Sequence, residues 1–162
     1  MTLTHKRLLE VLSYNKETGV FSWAENRKKC TNGKAICGKP NSNGYLRVGI
    51  DGVRYGLHRI AWFYVHGELP KNDIDHINGI RDDNRISNLR CVTRSTNLEN
   101  IRSAKGHNKS TGLLGAYVHK KRFTSRIQVR GKTIHLGMFD TKEDAHNAYI
   151  SAKRAMHEGN TI

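Results

Sequence analysis

Residues 57–100 decide the fold, and their sequence is LHRIAWFYVHGELPKNDIDHINGIRDDNRISNLRCVTRSTNLEN. The first part, Arg59–His66, is mostly apolar and is followed by Gly67, which predicts a buried helix that ends at this glycine. After Pro70 the apolar density falls sharply. We expect this polar part to lie outside the core and to hold the functional chemistry.

Four residues of the polar part have side chains of the types that phosphodiester hydrolysis requires. Asp75 and His76 are adjacent, Asn88 follows His76 after twelve positions, and Asn97 follows Asn88 after nine. Hydrolysis needs a base that takes a proton from water and a divalent ion that stabilises the developing charge. Histidine is the natural base near neutral pH, and carboxylate and amide oxygens suit Mg²⁺.

The geometry expected around these residues is a hairpin followed by a helix. Neighbours on a regular strand point to opposite sides, so the adjacent acid and histidine can converge only where a strand ends. Asn78-Gly79 supplies the turn that ends it. Val92-Thr93 predicts a second short strand, and Thr93 or Thr96 can cap a helix with Asn97 in its first turn. The ion would lie between hairpin and helix.

The whole of residues 57–100 resembles the HNH nucleases, specifically the phage and intron-encoded homing endonucleases of that group. The resemblance implies a ββα-metal fold in which His76 is the general base and Asp75 and Asn97 bind one divalent cation, Mg²⁺ or Mn²⁺. It implies that Asn88 hydrogen-bonds across the loop and holds the hairpin in shape. Many members have histidine where this chain has Asn97. The zinc-binding cysteine pairs of some relatives are missing, so we expect no structural zinc.

The charge of the chain indicates a nucleic-acid partner. Among 162 residues, 28 are Lys or Arg and 14 are Asp or Glu, a formal net charge of +14. Lys and Arg neutralise phosphates and release counterions, so this balance favours DNA. We expect double-stranded DNA as the partner and a monomer on the DNA, with a dimer as the alternative.

The sequence shows neither a membrane-spanning segment nor an export signal. No run of about 18 apolar residues is present, and residues 1–15 lack the apolar stretch and cleavage site of a signal peptide. Cys30, Cys37 and Cys91 are odd in number and form no CxxC pair, which argues against a disulfide framework. We expect a cytoplasmic protein, in a phage-infected or bacterial host cell.

Two modules are predicted, in an α+β chain. The first spans 1–102, with its core at about 57–102, and begins with a short helix around Leu8–Leu12. A hairpin over Tyr14–Trp23 follows. A second hairpin is predicted around Asp51-Gly52, because Asp-Gly between alternating segments favours a primed turn. Small polar residues at 103–112 predict a linker. The second module spans 113–162.

The second module is predicted to be a three-stranded sheet under one helix. The strands are Ala116–His119, Phe123–Arg130 and Thr133–Leu136, with Gly131-Lys132 as a tight connection. A helix over 142–156 follows, with Thr141 as its N-cap. Alternation and helical spacing put two apolar sets against each other, namely Ala116, Val118, Ile127, Val129, Ile134 and Leu136 on the sheet and Ala145, Ala148, Tyr149, Ala152 and Met156 on the helix.

Residues 115–149, GAYVHKKRFTSRIQVRGKTIHLGMFDTKEDAHNAY, resemble the plant ethylene-response-factor (APETALA-type) DNA-binding domain. The resemblance implies that the sheet enters the major groove. Arg126 and Arg130 can then pair with guanine and Gln128 with adenine, or the arginines can hold phosphates. The candidate DNA-binding residues are Tyr117, His119, Lys120, Lys121, Arg122, Arg126, Gln128, Arg130, Lys132 and His135.

Two functions fit these observations. The first is a metal-dependent, sequence-directed DNA endonuclease of the homing type, for which a single site in a monomer predicts nicking. The second is a non-catalytic, sequence-specific DNA-binding regulator that uses the HNH fold as a scaffold. The presence of Asp75, His76, Asn88 and Asn97 together favours the enzyme. His58 is interpreted as a packing or capping residue.

Overall fold

The computed structural model describes residues 3–24, 40–104, 106 and 108–162. The chain divides after Val92 into two compact units, unit 1 up to that residue and unit 2 from Thr93 onward. Both contain helices and small antiparallel sheets, so the predicted α+β class is confirmed. No helix in the described ranges is long and apolar enough to cross a membrane. Cys30 and Cys37 lie outside the described residues.

Unit 1, where it is described, consists of two helices and three two-stranded hairpins. The predicted helix before Gly67 begins two residues earlier than expected, and Gly67 ends it with a left-handed φ of 76°. The elements are α1 (His5–Val11), β1 (Leu12–Tyr14), β2 (Phe21–Trp23), β3 (Arg47–Ile50), β4 (Val53–Gly56), α2 (Leu57–His66), β5 (Asp73–His76) and β6 (Leu89–Val92), with a 3₁₀ turn at Ile86–Asn88 before β6.

Both N-terminal hairpins are confirmed, and their turns have the expected chemistry. β1 pairs with β2, and β3 pairs with β4, in antiparallel register. Asp51 and Gly52 connect β3 to β4 with φ of 48° and 82°, the two positive values that a type I′ turn requires.

The core of unit 1 also takes residues from the segment that was predicted to lie outside it. Ile60 and Phe63 of α2 pack with Val48 and Ile50 of β3 and with residues of α1. Ile74 of β5 and Leu89 of β6 belong to the same core, at 5% and 6% exposure. The prediction that the stretch after Pro70 is too polar for the core is therefore wrong for the β5–β6 hairpin, because its few apolar residues point inward.

Unit 2 contains the predicted three-stranded sheet and long helix. The strands of this sheet lie in sequence order, and the long helix, α4 (Lys142–Met156), packs against all three of them. Thr141 caps α4 by accepting a hydrogen bond from the backbone N–H of Asp144, as predicted. The elements are α3 (Arg94–Glu99), β7 (Ala116–His119), β8 (Arg122–Val129), β9 (Lys132–Phe139) and α4 (Lys142–Met156).

The sheet differs from the prediction at one turn and along its third strand. Arg130 and Gly131, rather than Gly131 and Lys132, form the tight connection, with φ of 49° and 78°. β9 runs three residues further than expected. Its register against β8 slips by one at Ser125 and Arg126, which leaves Leu136 as the additional residue of a bulge.

The apolar face of the sheet is only partly covered. Ala116, Ser125 and Ile127 are buried. Val118 and Ile134, predicted for the same face, are 50% and 38% exposed, and Met156 on α4 is 42% exposed. Val118 and Ile134 lie on the two edge strands, so a single helix above the centre of the sheet leaves both side chains partly exposed.

The predicted linker contains a hydrogen-bonded turn in its second half. The Asn108 side chain accepts from the Ser110 hydroxyl and donates to the Leu113 carbonyl. The buried Thr111 hydroxyl donates to the Ala116 carbonyl at 2.9 Å. The division into units falls before this segment. The functional limits 1–102, 103–112 and 113–162 stay a prediction.

Replacing Gly19 by alanine should destabilise unit 1 more than replacing Gly52. Both glycines have positive φ, +73° and +82°, so each alanine adopts a left-handed backbone at a cost of about 1–2 kcal/mol. An added Cβ at Gly19 would also lie 2.5 Å from the Arg85 backbone nitrogen, whereas no described atom lies within 4 Å of one at Gly52.

Urea unfolding followed by tryptophan fluorescence measures this difference. The chain's two tryptophans, Trp23 and Trp62, are both in unit 1, so the signal reports that unit. Equal losses of stability in Gly19→Ala and Gly52→Ala would show that the close approach at Gly19 has no energetic cost.

Candidate active site

The candidate site is built at the end of the β5–β6 hairpin. The two strands are antiparallel, with Asp75 opposite Arg90 and His76 opposite Leu89. β5 ends at His76, and the following turn is closed by the Gly79 N–H, which donates to the His76 carbonyl at 2.9 Å. The prediction that a strand ends at this histidine, with a turn at Asn78-Gly79, is confirmed.

Asn88 holds together the loop between the two strands. Its side-chain oxygen accepts from the backbone N–H of Asn78 at 3.0 Å, and its side-chain nitrogen donates to the Asp83 carbonyl at 2.8 Å. The Ile77 N–H donates to the carbonyl of Asn88 at 2.9 Å. Asn88 is buried. Its bonds cross the loop as expected, while a part in catalysis stays a prediction.

The imidazole of His76 is buried, with 3% of the residue exposed. Its Nε2 lies 3.3 Å from the side-chain oxygen of Asn84. The Asn84 amide nitrogen donates to the Asp82 carbonyl at 3.2 Å, which turns the amide oxygen toward the ring. The oxygen can only accept, so this contact is a hydrogen bond when Nε2 carries the proton.

The protonation of His76 follows from its surroundings. Burial lowers the pKa of His76, because the charged imidazolium loses its hydration, while the hydrogen bond to Asn84 and the nearby Asp75 partly oppose this shift. Burial prevails. The lowered pKa favours the neutral form of the ring near neutral pH.

Asn84 is the partner of His76 that sequence reasoning missed. It is 2% exposed, and its carbonyl accepts a hydrogen bond from the Tyr14 hydroxyl at 2.7 Å. The backbone of Gly19 also approaches this residue closely. β1 and the turn after it therefore fix the loop that faces His76. No local signal marks Asn84 among the polar residues of the loop, since its importance comes from contacts with distant residues.

Two aromatic rings pack against the buried histidine. Tyr45 and His58 lie with ring centroids 5.8 Å and 5.5 Å from His76, and 4.9 Å from each other. Burial is the main cause that lowers the pKa of His58 to about 4. Gly56 leaves room for this ring, because a Cβ there would lie 2.8 Å from it. The structure places His58 in packing contact, as interpreted from the sequence.

Asp75 forms an ion pair that was not anticipated. Its Oδ2 accepts from Nε and Nη2 of Arg90 at 2.9 Å and 2.8 Å, and Asp75 is 7% exposed. The register of the hairpin places the two residues opposite each other. A register worked out from the turn would have suggested this pair, because opposite charges on facing positions of antiparallel strands attract.

Asn97 lies on α3, in unit 2. Thr93, one of the two predicted caps, is the N-cap, and its hydroxyl oxygen accepts from the Thr96 N–H at 3.3 Å. The Asn97 N–H donates to the Thr93 carbonyl at 3.0 Å. Within the described parts of the chain, no group of three or more His, Cys, Asp or Glu side chains is placed to hold a metal ion.

The candidate DNA-binding residues are all exposed. The strand register puts most of the strand residues on the face opposite the buried one. Lys120, Lys121 and Arg130 lie in turns, and Lys132 is at the start of β9. The residues that share the open face are Tyr117, His119, Arg122, Arg126, Gln128 and His135.

Several of these side chains already have partners. The Arg126 guanidinium lies over the Tyr117 ring at 4.8 Å, and His135 Nε2 lies 2.9 Å from the Thr124 hydroxyl. Arg122 pairs with Asp140 at 2.8 Å and Arg130 with Glu158 at 2.9 Å, all at exposed positions. Exposed pairs of this kind are weak, so both arginines are available to an anion.

Residues 55–99 match the family model of HNH endonucleases. This HNH segment (residues 55–99) contains Asp75, His76, Asn88 and Asn97. A solved structure described as "DNA binding and cleavage by the HNH homing endonuclease I-HmuI" is similar at 18% identity and a TM-score of 0.47, over 98% of this chain and 95% of that one. No curated protein matches the chain.

Acidification should destabilise unit 1, and His58→Phe should remove part of that loss. The folded pKa of His58, about 4, is below its ordinary value of 6.5, so the unfolded chain takes up the proton first as the pH falls. The stability contributed by neutral His58 is complete above pH 6.5 and is lost progressively toward pH 4.

Urea unfolding of wild type and His58→Phe at about pH 7 and about pH 4.5 measures the effect. The phenyl ring can keep the packing against Tyr45 and His76 and cannot be protonated. We expect the wild type to lose about 2 kcal/mol more than His58→Phe on acidification. An equal loss of stability in both proteins would show that the lowered pKa of His58 is not the cause.

Proposed function

We propose that this chain is a metal-dependent, sequence-directed DNA endonuclease of the homing type that nicks its target. The observation that carries the proposal is the buried imidazole of His76 at the end of β5, where burial lowers its pKa and favours the neutral ring, next to Asp75 and within the HNH segment. A histidine kept neutral in this way suits general base catalysis. The match of residues 55–99 to the HNH endonuclease model supports a phosphodiester as the substrate.

His76 is the general base in this proposal. With its proton on Nε2, held by Asn84, the ring takes a proton from water at Nδ1. The water oxygen then attacks phosphorus, and the bond to the 3′ oxygen breaks. That oxygen takes a proton from a second water, which leaves a 5′-phosphate and a 3′-hydroxyl. Asn88 keeps the loop in shape, and the packed rings of Tyr45 and His58 limit rotation of the imidazole.

The donor set fits a hard divalent cation. Asp75 offers a carboxylate and Asn97 an amide oxygen, which are ligands that Mg²⁺ and Mn²⁺ accept. Arg90 donates both of its hydrogen bonds to Oδ2 of Asp75, and a carboxylate that accepts hydrogen bonds can also bind a cation. Asp75 and Asn97 would hold the ion. When bound, it would supply positive charge next to the scissile phosphate.

DNA binding is assigned to the open face of the β7-β8-β9 sheet. This face carries exposed arginines and histidines, exposed lysines lie in the neighbouring turn and at the start of β9, and the chain has a net charge of +14. We propose that this sheet enters the major groove in the manner of ethylene-response-factor domains. The protein would bind the DNA as a monomer. Arg122 and Arg130 would exchange their exposed acidic partners for phosphates or base edges.

Conversion of supercoiled plasmid to open circles tests the proposal. A plasmid pool with random inserts supplies target sites, and incubation with Mg²⁺ or Mn²⁺, with and without a chelator, tests the metal requirement. We expect His76→Ala to lose at least about a hundredfold in nicking rate and to keep its DNA affinity. His66→Ala, an exposed histidine on α2, is the matched control and should nick normally.

Two results would contradict the enzyme. If the wild type binds DNA from the pool and leaves it intact with either cation, the chain is a DNA-binding regulator. If His76→Ala nicks as fast as the wild type, another residue is the base.

A further inference from the structure

The helix that carries Asn97 is short, and apart from the Thr93 cap its own sequence does little to stabilise it. α3 has six residues, and none of them is buried. Its apolar residue, Leu98, is 49% exposed. Helices this short are marginal in water, and α3 lacks the apolar stripe by which short helices are usually held. Contacts with other segments of the chain are therefore needed to order it.

The segment after α4 supplies such contacts. The Gly159 N–H donates to the Glu99 carboxylate at 2.9 Å. The Thr161 hydroxyl donates to the side-chain oxygen of Asn100 and accepts from Arg102, and the Thr161 carbonyl accepts from Arg102 at 2.9 Å. We call Gly159 and Thr161, with these partners, the clasp. It binds the last turn of α3 and the residues just beyond it.

Close packing at Gly159 is a second, independent sign of the clasp. Gly159 is buried, and an added Cβ would lie 2.2 Å from the Thr96 carbonyl oxygen and 2.9 Å from the Thr96 Cγ2. Its φ is outside the left-handed region. The backbone conformation at this position therefore accepts alanine, and the steric conflict of its Cβ is with Thr96 of α3.

The clasp is anchored to the rest of unit 2 on both sides. His157 Nε2 donates to the Gln128 carbonyl of β8 at 2.9 Å. Lys153 on α4 is 1% exposed, and its ammonium donates to the Ile101 carbonyl. Burial lowers the pKa of Lys153 to about 8, as expected for a lysine placed inside. The chain on either side of the clasp is thus fixed to the sheet and to α4.

We propose that the clasp is a positioning device that holds α3, and with it Asn97, on the DNA-binding sheet module. For its consequence the inference rests on the proposed function, in which Asn97 is a cation ligand. Gly159 and Thr161 touch neither the cation nor DNA in this proposal. They act through α3, which links the sheet that binds DNA to the residue that holds the metal.

Amide hydrogen exchange tests whether the clasp orders α3. In Gly159→Ala the exchange of the Asn97 and Asn100 amides should accelerate by about tenfold or more. Gly106→Ala is the matched control, because no described atom lies within 4 Å of a Cβ there and its φ is also ordinary. Wild-type exchange in Gly159→Ala would overturn the clasp.

Two variants of Thr161 test the same claim with a smaller change to the side chain, in case Gly159→Ala does not fold. Thr161→Val keeps the shape of the side chain and removes the hydroxyl, whereas Thr161→Ser keeps the hydroxyl. We expect faster exchange in α3 for Thr161→Val and wild-type exchange for Thr161→Ser. Identical behaviour of the two variants would exclude a part for the hydroxyl in holding α3.

Cation binding tests the positioning itself. In Gly159→Ala, about tenfold more Mn²⁺ should be needed to broaden the Asn97 side-chain amide signals. The Mg²⁺ concentration for half-maximal nicking should rise by the same factor. The affinity for DNA should not change. Unchanged metal dependence despite faster exchange in α3 would overturn the positioning role. A wild type that never nicks would refute the proposed function, while hydrogen exchange and Mn²⁺ broadening would still decide the clasp.

Discussion

Burial of the His76 imidazole is the constraint on which the rest of unit 1 depends. A charged ring would lose its hydration there, so the neutral form is favoured. Its N–H still needs an acceptor, and Asn84 supplies one. Asn84 is in turn fixed by Tyr14 and by the close approach of Gly19. The N-terminal elements therefore contribute to the site by fixing Asn84.

Local patterns predicted the elements well. Asp51-Gly52 specified a primed turn, Gly67 ended α2, and Thr141 capped α4, because each effect depends on neighbours in sequence. The strand end at His76 and the bonds of Asn88 across the loop were also predicted, the first from the turn at Asn78-Gly79 and the second from the resemblance to HNH nucleases.

The errors and omissions have a common physical origin in contacts between distant residues. Arg90 pairs with Asp75 only because the hairpin register sets them opposite, and Asn84 meets His76 only because the loop folds back. Val118 and Ile134 alternate correctly but lie on the two edge strands, where α4 leaves both side chains partly exposed. Gly159 and Lys153 have no signature in the sequence, and their importance comes from the backbone they approach.

The most direct test of this account is the protonation state of the His76 ring. A ¹⁵N–¹H correlation spectrum of the histidine side chains at about pH 7, assigned with His76→Gln, reports which nitrogen carries the proton. We predict a neutral ring with its proton on Nε2. A ring protonated on both nitrogens, or on Nδ1 alone, would contradict the account, because it would have no lone pair at Nδ1 to accept a proton from water.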